Sequence, residues 1–489
     1  MEPLFILSIP DRVVKFEFTH ITSQPPIEVK PSRFEMSVVF SHPHPITTSP
    51  SISCILDNLL RNYQSVTVRQ INPLLLVMLD SNDKTTLTIF APYSELVKLI
   101  LSIVQNIERI LSFELPERQS AFLWGPRKSG KTTYLKSKFP ESIVYDFLET
   151  DLFLEFSKKP SLLREQLLAK EPKLLSQPII LDEVQKIPQV MDEVHWLIEN
   201  KGFRFILCGS SARKLKRGGA NLLGGRAWRF EMFPFVTPEI KDWDLLTVLN
   251  RGLIPSHYLT ETYNRSLRAY SQDYLKEEIF AEGIIRKVPS FSRFYDAMAY
   301  THGELVNYSN IARDCGVDSK TVREYYQILA DTLMGRLIEP FKRRQNRQVI
   351  TKSPKFYLFD VGVAGAITKR HIAEEKGELF GKAFKHFILM ELMAYNSYRE
   401  VDFDINFWRT KSGLEVDFIL GNGEVAIEVK GSNRVDKRDL FPLTVFLNEF
   451  PAAKAFVVCN EKTIRVHDRI RIMPYRNFLA DLWEGKVIR

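Results

Sequence analysis

From residue 120 onward, short apolar runs alternate with segments of helical period, and this alternation predicts an α/β fold. Ser120-Ala-Phe-Leu-Trp124, Ser142-Ile-Val-Tyr-Asp-Phe147, Pro178-Ile-Ile-Leu-Asp182 and Phe203-Arg-Phe-Ile-Leu-Cys208 read as strands of a buried, parallel sheet. Thr132 to Lys138 reads as a helix closed by Pro140. An amphipathic helix is expected over Glu95 to Phe113, leading into this region. Before it the pattern is sparse. Val13 to Phe18 and Ser65 to Arg69 alternate as strands do, and Ser41 to Ser51 has the composition of a linker. Residues 1–104 are therefore taken as an uncharacterised N-terminal extension, with a small accessory domain and an unstructured tail both left open.

Residues 240–300 are expected to be helical, with Leu267, Tyr270, Tyr274, Leu275 and Ile279 spaced as one buried face. Ser309 to Leu329 reads as a helix-turn-helix. Ser309 is expected to cap its first helix, Gly316 to make the turn and Asp318 to cap the second. Val322, Tyr325, Tyr326 and Leu329 form the inward stripe, leaving Lys320, Arg323 and Gln327 outward. Lys342, Arg343, Arg344, Arg347, Lys352 and Lys355 follow like a basic wing, so residues 301–355 are read as a winged helix. Such a module holds either DNA phosphates or a protein partner. In the last segment, 356–489, Phe384, Phe387, Ile388, Leu392 and Tyr395 share one helix face with Glu391 in its middle. Three strands are expected over Ile405–Arg409, Glu415–Leu420 and Glu424–Lys430.

Composition adds limits. The chain has 489 residues, 45% hydrophobic and 26% charged, enough for several cored domains. The net charge of +8 favours an anionic partner. Cys54, Cys208, Cys315 and Cys459 stand apart, with neither zinc-site nor disulfide spacing, which suits a reducing compartment. No membrane association is expected. Leu96 to Leu111 is interrupted by charges, and the start lacks a basic region before its apolar residues. The expected location is the cytoplasm.

The chemistry centres on Gly125, Pro126, Arg127, Lys128, Ser129, Gly130, Lys131 and Thr132, which fit the phosphate-binding pattern G-x-x-x-x-G-K-[ST]. Thr133 follows in the helix that the loop opens. Backbone N–H groups and the helix N-terminus converge there on an anion. Lys131 is expected to reach the outer phosphates of ATP, and Thr132 to ligate Mg²⁺. Asp182 and Glu183 end an apolar strand. Asp182 is expected at the Mg²⁺, and Glu183 to polarise the attacking water. Ser210, after the next strand, is placed to touch the outer phosphate, with an N-cap role as the alternative. Arg226 is selected from the cluster of Arg213, Lys214, Lys216, Arg217, Arg226 and Arg229 as the cation for the transferring phosphoryl group.

These motifs, with Leu181-Asp-Glu-Val-Gln-Lys186, Cys208-Gly-Ser-Ser211, Gly225-Arg226 and Phe233-Pro-Phe-Val-Thr-Pro-Glu239, resemble a bacterial and archaeal family of AAA-type ATPases. That family carries a C-terminal domain of unknown function. The resemblance runs from about residue 105 to the end. It implies an ATPase core over 105–239, a helical region over 240–300 and, beyond the winged helix read above, a small α/β domain over 356–489. Asp417, Glu428 and Lys430 form a D…E-x-K array similar to that of PD-(D/E)XK nucleases, with Glu391 as a further candidate. Lys385 stands where the family typically has a glutamate. The function expected is an Mg²⁺-dependent ATPase, with homo-oligomerisation, that drives the winged helix and nuclease-like module. An ATP-controlled DNA- or protein-binding switch and a DNA endonuclease remain as alternatives.

Overall fold

A computed structural model of the chain describes residues 107–489 apart from 117, 212, 214, 216–222, 272–287 and 343–352. Of the residues before 107 it describes the backbone of five strands. The chain divides into two compact units, Met1–Asn106 and Ile107–Arg489. In the first, β1 (Phe5–Ile9), β2 (Arg12–His20), β3 (Arg33–Val39), β4 (Leu75–Ser81) and β5 (Lys84–Pro92) form an antiparallel sheet in the order β1-β2-β3-β5-β4. The alternating run at Val13–Phe18 lies within β2. The strand expected over Ser65–Arg69 and the linker over Ser41–Ser51 fall outside the described residues.

The second unit opens on a five-stranded sheet of β6 (Ser120–Trp124), β7 (Val144–Asp146), β8 (Ile179–Asp182), β9 (Phe205–Gly209) and β10 (Ala227–Glu231). All its pairings are parallel, in the order β10-β6-β9-β8-β7. Every residue of β6, β8 and β9 is buried, the consequence of a parallel sheet covered on both faces. Helices α1 (Lys131–Lys138), α2 (Thr150–Lys158), α3 (Leu162–Leu168) and α4 (Val190–Lys201) connect the strands. The α/β fold class read from the pattern is the one observed.

The helix expected over Glu95–Phe113 is corrected in its described part, since residues 107–113 carry no helix. Its backbone finds tertiary partners instead: Ile110 N donates to Glu239 Oε1 at 2.9 Å. A local amphipathic period is outcompeted by a buried carboxylate far along the chain.

Helices α5 (Leu245–Arg251) and α6 (Tyr263–Ala269) follow, with Leu267 and Tyr270 buried as expected. Tyr274, Leu275 and Ile279 lie outside the described residues. Next come α7 (Val288–Tyr300), α8 (Tyr308–Cys315), α9 (Ser319–Asp331) and an antiparallel pair, β11 (Gly335–Ile338) and β12 (Lys355–Leu358). Asp318 caps α9 through the N–H groups of Lys320 and Thr321, and Gly316 makes the turn at φ 66°. The cap of α8 is Asn307, whose side chain accepts from Asn310 N at 3.1 Å; Ser309 sits inside the first turn. The buried stripe of α9 is the expected one, and Lys320, Arg323 and Gln327 are exposed. Arg343, Arg344, Arg347 and Lys352 lie outside the described residues.

Helices α10 (Val361–Ile367) and α11 (Glu378–Tyr398) lead to a six-stranded mixed sheet. Its strands are β13 (Ile405–Arg409), β14 (Glu415–Leu420), β15 (Val425–Lys430), β16 (Lys454–Cys459), β17 (Arg465–His467) and β18 (Ile470–Pro474), in the order β13-β14-β15-β16-β18-β17. Helices α12 (Lys437–Glu449) and α13 (Tyr475–Trp483) complete it. One continuous core joins Leu123 of β6 and Phe235 to Phe387 and Leu392 of α11, so the two sheets do not have separate interiors. Among the described residues, no helix is long and apolar enough to cross a membrane.

Close backbone approach fixes the join between α5 and α10. A Cβ on Gly362 would collide with Arg251 and Gly252 backbone atoms, which cannot swing away as a side chain would. Asp360 caps α10 at Val363 N (2.9 Å) and accepts from Leu253 N (2.7 Å), tying the same two segments. Gly362→Ala should therefore destabilise the protein by about 1–3 kcal/mol, the usual result of overpacking. Urea unfolding would measure this, and an unchanged midpoint would refute the close approach.

Candidate functional site

Parallel pairing brings the ends of three strands to one edge of the first sheet. Trp124 stands opposite Gly209 and Leu181 opposite Leu207, so the residues that follow β6, β8 and β9 emerge together at the carboxyl edge. Gly125 to Gly130 loops out there and α1 begins at Lys131. Gly125 is needed because a Cβ would run into the Met232 carbonyl, and Gly130 because its φ is 93°.

The loop residues already lean toward anion chemistry. Lys131 is 5% exposed, and its ammonium donates to Gly125 O (2.8 Å) and Pro126 O (3.0 Å). These neutral acceptors are ones that phosphate oxygens would outcompete, because bonds to an ionised acceptor are stronger. Ser129 Oγ is buried with no hydrogen-bond partner among the described residues. Thr132 Oγ1 donates to Asp182 Oδ2 at 2.5 Å, and Asp182 Oδ1 accepts from Glu183 N at 2.9 Å. A hydroxyl and a carboxylate side by side are the hard oxygen donors Mg²⁺ prefers, so these residues fit an Mg²⁺–nucleotide. Lys128 and Thr133 face outward, the Lys128 ammonium 5.4 Å over the Tyr270 ring.

Glu183 is 7% exposed and holds a left-handed backbone, φ 54°. Strain of this kind concentrates where a side chain must be aimed. Burial pushes its carboxyl up, while Arg127 and Lys131 act in the opposite direction. Arg127 Nη2 lies 3.8 Å from Glu183 Oε2. Gln185 Nε2 donates both to Glu183 Oε2 (2.5 Å) and to Ser210 Oγ (3.0 Å), bringing Ser210 into the cluster.

Arg226 does not join it. Ala227 pairs with Ser120, so Arg226 sits at the amino end of β6, and its carbonyl accepts from Ser120 N. The length of β6, roughly 16 Å at about 3.3 Å per residue, separates it from the loop. Its guanidinium is engaged by Glu199 at the surface. Arg213 pairs with Asp331 of α9, and Lys214, Lys216 and Arg217 lie outside the described residues.

Arg109, which belongs to no motif, is buried beneath the loop. It donates to Ser129 O (2.6 Å), Phe233 O (2.6 Å), Pro234 O (3.2 Å), Tyr398 Oη (3.2 Å) and Glu239 Oε1 (3.0 Å). Nothing local marks it, because its partners lie up to 289 residues away. Gln185 is visible in the sequence only as part of the run from Leu181 to Lys186.

In the C-terminal sheet Asp417, Glu428 and Lys430 do come together, and Lys385 of α11 joins them. Lys385 pairs with Asp417, and Lys430 lies 3.0 Å from Glu428 and 3.7 Å from Asp439. Asp417 Oδ2 also accepts from Val429 N at 2.9 Å. Burial opposes the Lys385 ammonium, but the Asp417 charge more than restores it, raising its pKa. Burial, then Asp417, pushes the Glu428 carboxyl up. Two lysines thus stand among three carboxyls, and a divalent ion placed at the two buried ones, Asp417 and Glu428, would have to displace or repel the ammonium already beside each. Among the described residues no group of three or more His, Cys, Asp or Glu is placed to hold a metal.

Glu391 is not part of that cluster, which corrects its placement as a nuclease candidate. Its oxygens accept from Thr237 N (3.0 Å), Thr237 Oγ1 (2.8 Å) and Trp483 Nε1 (2.7 Å). The helical period sets the buried face of α11, but which neighbour Glu391 meets there depends on packing. It joins α11 and α13 to the segment after β10.

A parallel sheet with a phosphate loop after β6 and an acidic end on β8 defines a P-loop α/β domain. Residues 117–241 match a family model described as an AAA domain. Residues 242–373 and 380–478 match two described as domains of unknown function, DUF8612 and DUF4143. The chain is similar to uncharacterized proteins of Mycobacterium bovis and Mycobacterium tuberculosis, 25% identical to each over 305 residues. That match covers 60% of this chain and spans 66% of the length of those relatives. No solved structure matches significantly.

Burial lifts the Glu391 carboxyl from its ordinary 4.5 to about 7, although three donors work against the rise. A folded-state pKa above the unfolded one contributes stability at low pH that is lost as pH rises through the folded value. Wild type should thus lose on the order of 3 kcal/mol relative to Glu391→Gln between pH 4.5 and pH 7. Urea unfolding of both proteins across that range tests it; parallel curves would rule out Glu391 as the titrating group.

Proposed function

We propose that this chain binds ATP with Mg²⁺ and hydrolyses it, and that its nucleotide state is passed to the C-terminal domain. The observation that carries this reading is the cluster at one sheet edge: Lys131 on the loop carbonyls, Thr132 against Asp182, and Glu183 tied toward Ser210. Lys131 would exchange Gly125 O and Pro126 O for the outer phosphate oxygens. Thr132 and Asp182 would hold Mg²⁺, which supplies charge neutralisation at the phosphates. Glu183, as carboxylate, orients and polarises the attacking water, and Ser210 donates to the outermost phosphate. Arg109 supports the transmission, since one guanidinium holds both the loop carbonyl of Ser129 and the Tyr398 hydroxyl of α11.

The ammoniums already seated beside Asp417 and Glu428 favour a C-terminal domain that is moved rather than one that cuts DNA. The exposed Lys320, Arg323 and Gln327 on α9, with the net charge of +8, support duplex DNA as partner.

Lys131→Ala should abolish binding of a fluorescent ATP analogue. Glu183→Gln should bind it within about threefold of wild type and turn over at least about 100-fold more slowly. Ordinary turnover by Glu183→Gln would sink the assignment. For the DNA reading, the double variant Lys320→Ala, Arg323→Ala should weaken retention of duplex DNA at low salt. The log-affinity against log-salt slope should shrink by about 1 for each phosphate-binding cation removed. No DNA retention by wild type would remove that partner.

A further inference from the structure

Gln185 is 3% exposed and sits between two groups of the proposed hydrolytic site. Its Nε2 reaches Glu183 Oε2 at 2.5 Å and Ser210 Oγ at 3.0 Å, one amide serving two acceptors. The other end of the amide has no such pairing: Gln185 Oε1 is buried without a hydrogen-bond partner among the described residues. It is pressed against the end of β9, where a Cβ on Gly209 would overlap it and would also come within 2.8 Å of Trp124 Cζ3. Gly209 does not have a positive φ, so its backbone conformation does not call for glycine; the space occupied by Gln185 does. A buried acceptor left unpaired is destabilising. The arrangement is therefore accounted for by what the NH₂ end holds, rather than by packing alone.

We infer that Gln185 is a positioning residue that links Ser210 to Glu183, with Gly209 as the gap that admits it. The inference rests on the roles of Glu183 and Ser210 proposed above. A serine hydroxyl can accept from an amide while donating its own proton to a phosphate oxygen. Engagement of the outermost phosphate by Ser210 is thereby felt at the Glu183 carboxylate through a single side chain. The Glu183 backbone is already fixed in its left-handed turn, so the direction of its carboxylate depends on side-chain partners, and Gln185 lies nearer to it than Arg127 does.

The test uses the full chain, with the Kd of a fluorescent ATP analogue and the kcat and KM for ATP measured side by side. Gln185→Ala and the isosteric Gln185→Glu should keep Kd and KM within about threefold of wild type while kcat falls at least about tenfold, the range of a positioned acid–base group. Gly209→Ala, which alters none of the side chains of the proposed site chemically, should lower kcat in the same way by displacing the amide. Combined with Gln185→Ala it should lower kcat no further. Gln185→Ala and Ser210→Ala should likewise be non-additive, as expected of a coupled pair. Retained nucleotide affinity shows that each variant is folded. If Gln185→Ala or Gln185→Glu keeps kcat close to that of wild type while Glu183→Gln abolishes turnover, the positioning role is wrong and the ATPase reading stands. A wild-type chain that binds ATP without turning it over overturns both.

Discussion

The guanidinium of Arg109 is enclosed by acceptors from the phosphate loop, from the segment after β10 and from α11, with Glu239 balancing its charge. Five N–H donors in a planar fork can meet carbonyls lying in different directions, which a lysine ammonium on its flexible stem does less well. The side chains of both ion-pair partners are nearly inaccessible, at 6% and 0% exposure. A buried pair of this kind contributes modest net stability while both members stay, and leaves an uncompensated charge when either goes. Its main effect is to specify geometry. Residues 107–113 run without a helix because the Ile110 N–H and the Arg109 side chain are used here, and the loop carbonyl of Ser129 comes to share a donor with Tyr398.

The candidate site follows from a second constraint, the parallel sheet. Strands that run the same way deliver their following residues to one edge, so Gly125, Glu183 and Ser210 meet although they are far apart in sequence. The same register excludes Arg226, which precedes its strand and is carried to the opposite edge. Helices on both faces exclude water from the strands, which raises the strength of each polar contact at the edge. A shared core then extends from this sheet through Phe235 to α11.

That second sheet shows how two basic residues alter the chemistry of an acidic pair. Asp417 and Glu428 meet across β14 and β15 as the strand pattern implied, with Asp417 N directed at Glu428 Oε2 at 3.3 Å. Lys385 enters from α11 and Lys430 from the end of β15, so each of the two buried carboxyls already has an ammonium beside it. The cations seated beside the carboxylates, as well as the carboxylates themselves, decide what such a site can hold.

Much of this was legible from the amino-acid order alone. Apolar runs placed β6, β8 and β9, and the period-two pattern placed β13, β14 and β15 within a residue of their observed limits. The glycines and Lys131-Thr132 announced the loop, and Asp318 and Gly316 marked the turn between α8 and α9. These are local properties: strand period, turn conformation and motif spacing are written within a few residues. What only the tertiary structure decided is which buried polar groups meet. Glu391 serves Thr237 and Trp483, Asn307 rather than Ser309 caps α8, Arg226 faces Glu199, and Arg109 and Gln185 hold groups that local pattern could not assign to them. A buried donor or acceptor must be satisfied by whatever the fold brings within about 3 Å, and that neighbour is set by packing across the whole unit rather than by sequence distance.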